Sequence, residues 1–158
     1  MATLHLMVGL PCSGKTTLAR KLETKHSALR LTPDDWHAGL GHHYGYNMTE
    51  SDESLHNVRH DAVESLMWKV AARVLVLGVD VILDFGLWSR KEREELRCRA
   101  EELGADIKIH FMDVPEKVLF ERLRNRNAHK PDESFVIPEA KLKEWIQTFE
   151  PPLPEELA

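Results

Sequence analysis

The sequence predicts an α/β domain with a mostly parallel sheet. Three observations carry that prediction. Strand-length apolar runs alternate with helix-length amphipathic stretches along the chain. The first apolar run, residues 3–8, ends in Gly9-Leu10-Pro11-Cys12-Ser13-Gly14-Lys15-Thr16-Thr17, the G-x-x-x-x-G-K-T pattern of a phosphate-binding loop between a strand and a helix. Acids follow or close two later runs, at Asp34-Asp35 and at Asp84.

Taken in order, residues 3–8 read as a buried strand, and residues 15–25 as a helix with Leu18 and Leu22 on one face. Residues 28–31 form a second, short strand. A helix opens at Thr32-Pro33-Asp34-Asp35: Pro33 suits its first turn, Thr32 its cap, and the acids its positive end. Residues 39–46 read as a loop rich in glycine, histidine and tyrosine. A long helix covers about residues 50–77, where Leu55, Val58, Ala62, Leu66, Val70 and Val74 recur at helical spacing. Gly78 is its stop.

Residues 79–86 are the third strand, apolar into Asp84. The next helix runs from Ser89 to Leu103 and ends at Gly104. Residues 105–113 are the fourth strand. Pro115 opens a helix from Glu116 to about Arg126, residues 127–137 read as a short polar loop or lid, and Pro138 starts the last helix, to about Thr148. The tail from Glu150 reads as extended and acidic.

Length and composition bound the rest. At 158 residues the chain is expected to be one domain, residues 1–158, with a real core. A net charge of −5 argues against a protein that coats long nucleic acid. Two cysteines, Cys12 and Cys98, make no disulfide framework, so a reducing, cytoplasmic setting is expected. No stretch reaches the apolar length of a membrane span, and no signal-peptide pattern is present. A monomer is the default expectation.

Right-handed crossovers place the C-terminal ends of parallel strands, with their loops, on one edge. Ligands bind at that edge. The phosphate loop, Asp34-Asp35, Asp84 and residues 127–137 are therefore expected around one cleft, a phosphotransfer layout. Gly9 and Gly14 let the backbone from Leu10, Pro11, Cys12 and Ser13 through to Thr17 turn its N–H groups onto a polyphosphate. The helix start adds its positive end. Lys15 is placed to put an ammonium on the β- and γ-phosphates, and the Thr16 hydroxyl to ligate Mg²⁺.

A hydroxyl-phosphorylating enzyme also needs a carboxylate at the acceptor. Asp34 is the candidate base; the plainer reading is that both acids merely complement a helix start, which suits Asp35 better. Asp84 ends a hydrophobic strand as a Mg²⁺-holding acid does, or else opens a turn. Arg122 and Arg126 lie four apart on one helix face, against Leu119 and Leu123 on the core side. Arg126 is read as a transition-state clamp and Arg122 as a nucleotide contact, with a solvated basic face as the alternative. Arg90 and Arg93 either reach phosphate or are solvated.

Other residues take blander readings. His56 and His60, four apart, offer half a metal site, but a helix surface is the favoured reading. His42 and His43 fall in a loop near the cleft. Cys12 sits at a variable loop position with no redox role assigned. Trp68 and Trp145 belong to the core, while Trp36 or Trp88 could wall an acceptor pocket.

Five segments share a wider likeness: Gly9–Thr17, Thr32-Pro33-Asp34-Asp35-Trp36, Val81-Ile82-Leu83-Asp84, Arg122-Leu123-Arg124-Asn125-Arg126-Asn127 and Phe149-Glu150-Pro151-Pro152. In this order they resemble the small P-loop kinase-like "AAA domain" ATP-binding proteins. That group is similar to zeta toxins, chloramphenicol phosphotransferase and the kinase domain of polynucleotide kinases. The resemblance implies a nucleoside-monophosphate-kinase-like fold, a three-layer domain with a five-stranded parallel sheet and a short lid. It also implies ATP–Mg²⁺-dependent phosphorylation of a hydroxyl. The relatives' base lies after the second strand as D-x-aromatic, which Asp34-Asp35-Trp36 matches. His37 stands where zeta toxins tend to carry arginine, which points away from their nucleotide-sugar substrate. The expected partners are ATP and a small-molecule acceptor. The alternatives are a nucleotide-binding switch without acceptor and a nucleic-acid 5′-hydroxyl kinase.

Overall fold

A computed structural model of the protein describes residues 1–44, 53–129 and 136–158, with the side chains of 41–44 and 53–54 outside that description. The elements are β1 (Thr3–Val8), α1 (Lys15–His26), β2 (Leu29–Leu31), α2 (Pro33–Tyr44), α3 (Glu53–Val76), β3 (Val81–Gly86), α4 (Arg90–Glu102), β4 (Asp106–Phe111), α5 (Glu116–Ala128), α6 (Glu139–Thr148) and α7 (Pro154–Leu157). All strand pairs are parallel, in the order β2-β3-β1-β4.

Parallel sheets are covered on both faces, so their central strands read as continuous apolar runs. Here Leu4, Leu6, Met7 and Val8 of β1 and Val81, Ile82 and Leu83 of β3 are fully buried. Alternation sorts them into two layers. Leu4, Leu6 and Val8 pack with Val63, Met67, Ala71 and Leu75 of α3 and Leu96 and Ala100 of α4. Met7 and Ile82 face the other way, onto Ala19 and Leu22 of α1. Each such side chain contributes roughly 1.5–3 kcal/mol by leaving water. A third cluster, Leu10, Leu119, Leu123, Ile137 and Leu142, joins α5 and α6 to the phosphate loop.

The strand order places β1 at the point where the connections reverse direction. β1 to β2 moves one way across the sheet, and β3 to β4 the other. Such a switch point opens a crevice at the strand C-terminal ends. The loop after β1 and Asp84 on β3 both lie there.

Four expectations are corrected. The sheet has four strands among the described residues, not five. After β4 come three helices, and the stretch between α6 and α7 carries Pro151 and Pro152, which have no N–H to give a ladder. The loop expected at 39–46 is helix as far as Tyr44, with 45 and 46 outside the described residues. Leu40 packs against the main core, and that contact outweighs the weak helix propensity of Gly39. The tail is not wholly extended, because α7 forms at Pro154.

The fourth correction concerns which face of α3 is buried. Val63, Met67, Ala71 and Leu75 point inward, whereas Leu55, Val58, Leu66 and Val70 are exposed. Both stripes are apolar, so spacing alone selects neither. The other boundaries agree with the sequence within a few residues. Gly78 (φ +82°) and Gly104 (φ +70°) adopt the left-handed conformation that ends α3 and α4. Residues 50–52 of the expected long helix, and 130–135 of the expected lid, lie outside the described residues, as do the His42 and His43 side chains. No described helix is long and apolar enough to cross a membrane.

Candidate active site

The phosphate loop is held from below by backbone. The Gly9 N–H donates to Gly86 O (3.0 Å), and the Trp88 indole N–H donates to Gly9 O (3.2 Å). A Cβ on Gly9 would sit 2.7 Å from Ser13 Oγ and 3.2 Å from Met112 Cβ. Gly14 has φ +92°, and Cys12 a left-handed φ of +66°. The loop therefore needs glycine at 9 for space and at 14 for conformation. Gly9→Ala is expected to displace Ser13 and open the loop, abolishing measurable nucleotide binding in calorimetry while the fold survives by circular dichroism.

Lys15 stretches back across this loop, and its ammonium donates to Leu10 O (3.0 Å). Burial pushes its pKa below the usual lysine value. The charges of Asp84 and Asp34 pull it back up, and Arg126 pushes it down. One ammonium thus lies within reach of two acids and a guanidinium predicted from sequence.

Behind Lys15, the Thr16 hydroxyl donates to Asp84 Oδ2 (2.7 Å), and so does the Thr32 hydroxyl (3.1 Å). Arg30 donates to the Thr32 hydroxyl (2.6 Å). The Thr32 hydroxyl, read from sequence as a cap for α2, also faces Asp84. Asp84 is 6% exposed, and its Oδ1 has no hydrogen-bond partner among the described residues. A bare buried carboxylate oxygen beside a hydroxyl is a donor set that a hard divalent cation satisfies. The residues present fit Mg²⁺.

The two acids of α2 have different surroundings. Arg30 donates to Glu23 (3.0 Å) and to Asp35 (3.2 Å). Asp34 instead acts electrostatically on Lys15 and on His60. Arg30 engages Asp35, the acid that the sequence assigns to the helix start rather than to the acceptor.

Arg122 donates to Cys12 O (3.1 Å) on the far side of the loop. With Arg126, Met112, Ser13, Gly14 and Thr17 it lines a cleft of about 580 Å³, within the range of small-molecule sites. Leu119 and Leu123 are buried behind the arginines, as their spacing predicts. Below this cleft, Asn127 bonds both backbone groups of Ile137.

Some expected residues are elsewhere. Arg93 does not reach the phosphate loop. It is 2% exposed and donates to Leu87 O, Glu150 O and Glu156. Arg90 pairs with Glu155 at the surface. Trp88 packs against Trp145 beneath the loop rather than walling a pocket, and Trp36 is exposed. His56 and His60 are not a bare surface: the His60 ring stacks on His37 of α2, with His37 Nε2 3.1 Å from His60 Nδ1, and the His56 ring lies tilted beside it. Sequence reasoning also missed Met112, and it gave Thr32 and Trp88 other roles. Position at a strand end was the available signal for all three.

His37 is fully buried, and burial first, then the nearby His60 and His56, lowers its pKa to about 4. His110 is likewise lowered to about 4 by burial beside His5. The unfolded chain then binds more protons than the folded one between about pH 6.5 and 4. Stability present above the unfolded value is lost as pH falls through that window. His60, raised mainly by its hydrogen bond to Glu64, opposes this in part. Denaturant midpoints are expected to fall across the window. Replacing His37 with glutamine should flatten the profile by on the order of 2 kcal/mol.

The loop after β1, the acid on β3 and the parallel order together define an α/β domain of the phosphate-binding-loop type. The chain belongs to the AAA domain family, which it matches over residues 4–152. Solved structures share the fold. A candidate kinase from Chloroflexus aurantiacus j-10-fl aligns at TM-score 0.78 with 21% identity, covering 97% of this chain and 80% of that one. Chaetomium thermophilum Kti12 in complex with ADP-AlF3 aligns at 0.69 with 20% identity, covering 96% and 82%. A gluconokinase from Sinorhizobium meliloti 1021 aligns at 0.63 with 19% identity, covering 98% and 78%. No curated protein matches the sequence.

Proposed function

We propose that the chain is an ATP-dependent phosphotransferase acting on a hydroxyl of a small molecule. The carrying observation is the division of the two α2 acids. Arg30 engages Asp35, while Asp34 is directed electrostatically at Lys15. A nucleotide switch has no use for an acid in that position; a kinase needs it at the acceptor.

On this reading the loop amides and Lys15 grip the β- and γ-phosphates. Arg126 stabilises charge on the transferring group, and Arg122 borders the nucleotide. The acceptor oxygen attacks the γ-phosphorus, Asp34 takes the hydroxyl proton, and the bond to the ADP oxygen breaks. Thr16 and Asp84 would hold Mg²⁺, which neutralises phosphate charge when bound. The folds of the gluconokinase and of nucleotide-bound Kti12 support the nucleotide half of this reading. The net charge of −5 favours a small acceptor over a long nucleic-acid strand.

The test is ATP-to-ADP conversion by the purified chain over a panel of sugars, nucleosides, aminoglycosides and 5′-hydroxyl oligonucleotides. ADP should appear in proportion to one phosphorylated class of small acceptor. Labelled phosphate on the oligonucleotide, or hydrolysis indifferent to every acceptor, would refute the proposal.

A further inference from the structure

At the sheet edge opposite the phosphate loop, three side chains converge from three elements: His5 on β1, His26 at the end of α1, and Asp80 just before β3. We propose that they bind a divalent transition metal ion that accepts imidazole and carboxylate together, with Zn²⁺ as the representative. This site is separate from the proposed phosphotransfer and does not rest on it.

The distances carry the argument. His5 Nε2 lies 3.6 Å from Asp80 Oδ2, and His26 Nδ1 lies 4.0 Å from the same oxygen. The three donor atoms all lie within 4.8 Å of one another. Ligands about 2.0–2.1 Å from a tetrahedral zinc ion stand roughly 3.3–3.5 Å apart. The spacing is too long for hydrogen bonds and only slightly wide for a shared ion.

The free atoms point the same way. His5 is 2% exposed, and its Nε2 is buried with no hydrogen-bond partner among the described residues. Buried polar atoms rarely stay unmatched. Its other nitrogen, Nδ1, lies 3.0 Å from His110 Nε2. A proton on Nδ1, donated to His110, leaves the Nε2 lone pair for the ion. This is the support that metal-binding histidines commonly have behind them. Asp80 is divided the same way: Oδ1 accepts the Thr3 N–H (2.8 Å), and Oδ2 faces the imidazoles. The carboxyl end of α1 adds a partial negative charge that favours a cation. Lys108, the register partner of His5, is exposed, and its charge still reaches His5 and His110, a cost that the Asp80 carboxylate offsets. His26 is one-third exposed, which gives an entry path and room for a water ligand.

A metal here would join β1, α1 and β3 at the ends far from the loop those elements carry. The test uses untagged, metal-stripped protein titrated with Zn²⁺ against a chromophoric chelator, with Co²⁺ as a spectroscopic reporter. One equivalent should bind, raise the unfolding temperature and give the intense visible bands of four-coordinate Co²⁺. His26→Ala and Asp80→Asn should each lose at least about 100-fold in affinity, and His110→Ala about 10–100-fold. Both ligand variants should keep the metal-free unfolding temperature, since His26 is part-exposed and asparagine can still accept from Thr3. No stoichiometric uptake would overturn the proposal. So would uptake undiminished in these two variants, which would put the ion elsewhere, for example on His37, His56 and His60.

Discussion

Removing the Lys15 ammonium, as Lys15→Ala, is expected to weaken MgATP binding or turnover by about 10²–10³-fold, the loss typical of one preorganised charged or polar donor. The ammonium donates to Leu10 O, and the charges of Asp84 and Asp34 act on it. Its loss leaves the buried Asp84 carboxylate without the neighbouring ammonium, so a modest fall in unfolding temperature should accompany the loss of binding. Calorimetry with MgATP is the measurement. Lys15→Arg should not restore affinity, because a planar fork does not fit a space shaped for a point charge. Unchanged affinity in the alanine variant would remove the phosphate loop from the mechanism.

The second large effect concerns the acceptor. Asp34→Asn should keep MgATP affinity and cut turnover by about 10²–10⁴-fold, the range for a lost general base. Asp35→Asn is the matched control. It breaks an exposed contact to Arg30, worth roughly 0.2–1 kcal/mol of stability, and should leave turnover close to the parent. Steady-state kinetics on the phosphorylated acceptor, with kcat and KM separated, distinguishes the two. Equal loss in both variants would mean that the division made by Arg30 has no catalytic meaning.

Much of this site was legible because its signals are local. Gly9, Gly14, Lys15 and Thr16 lie within one turn of chain, and Asp84 ends an apolar run that can only be a buried strand. The helix starts at Lys15, Pro33 and Arg90 and the stops at Gly78 and Gly104 follow from residues at those positions. What failed was decided by partners distant in sequence. Arg93 reads as a phosphate ligand or a solvated side chain, and is neither, because Glu156, 63 residues on, takes its guanidinium. Thr32 reads only as a cap until Asp84, 52 residues away, accepts its hydroxyl hydrogen. The face of α3 could not be chosen because apolar residues surround that helix, and the sheet decided. The fifth strand, which does not appear among the described residues, came from counting by resemblance where this chain instead places prolines.

The bonds from Arg30 through Thr32 to Asp84 have a direction. A guanidinium can only donate, so Thr32 must accept from it and pass its own hydrogen to the carboxylate. That one-way polarity keeps Asp84 Oδ2 engaged from behind, whatever happens in front of it. Were Thr16 to turn its lone pairs toward a divalent cation and release Oδ2, Thr32 would still hold the carboxylate's aim, so binding would need the rotation of one hydroxyl rather than the rebuilding of a pocket. Valine at 32 would leave that aim to chance.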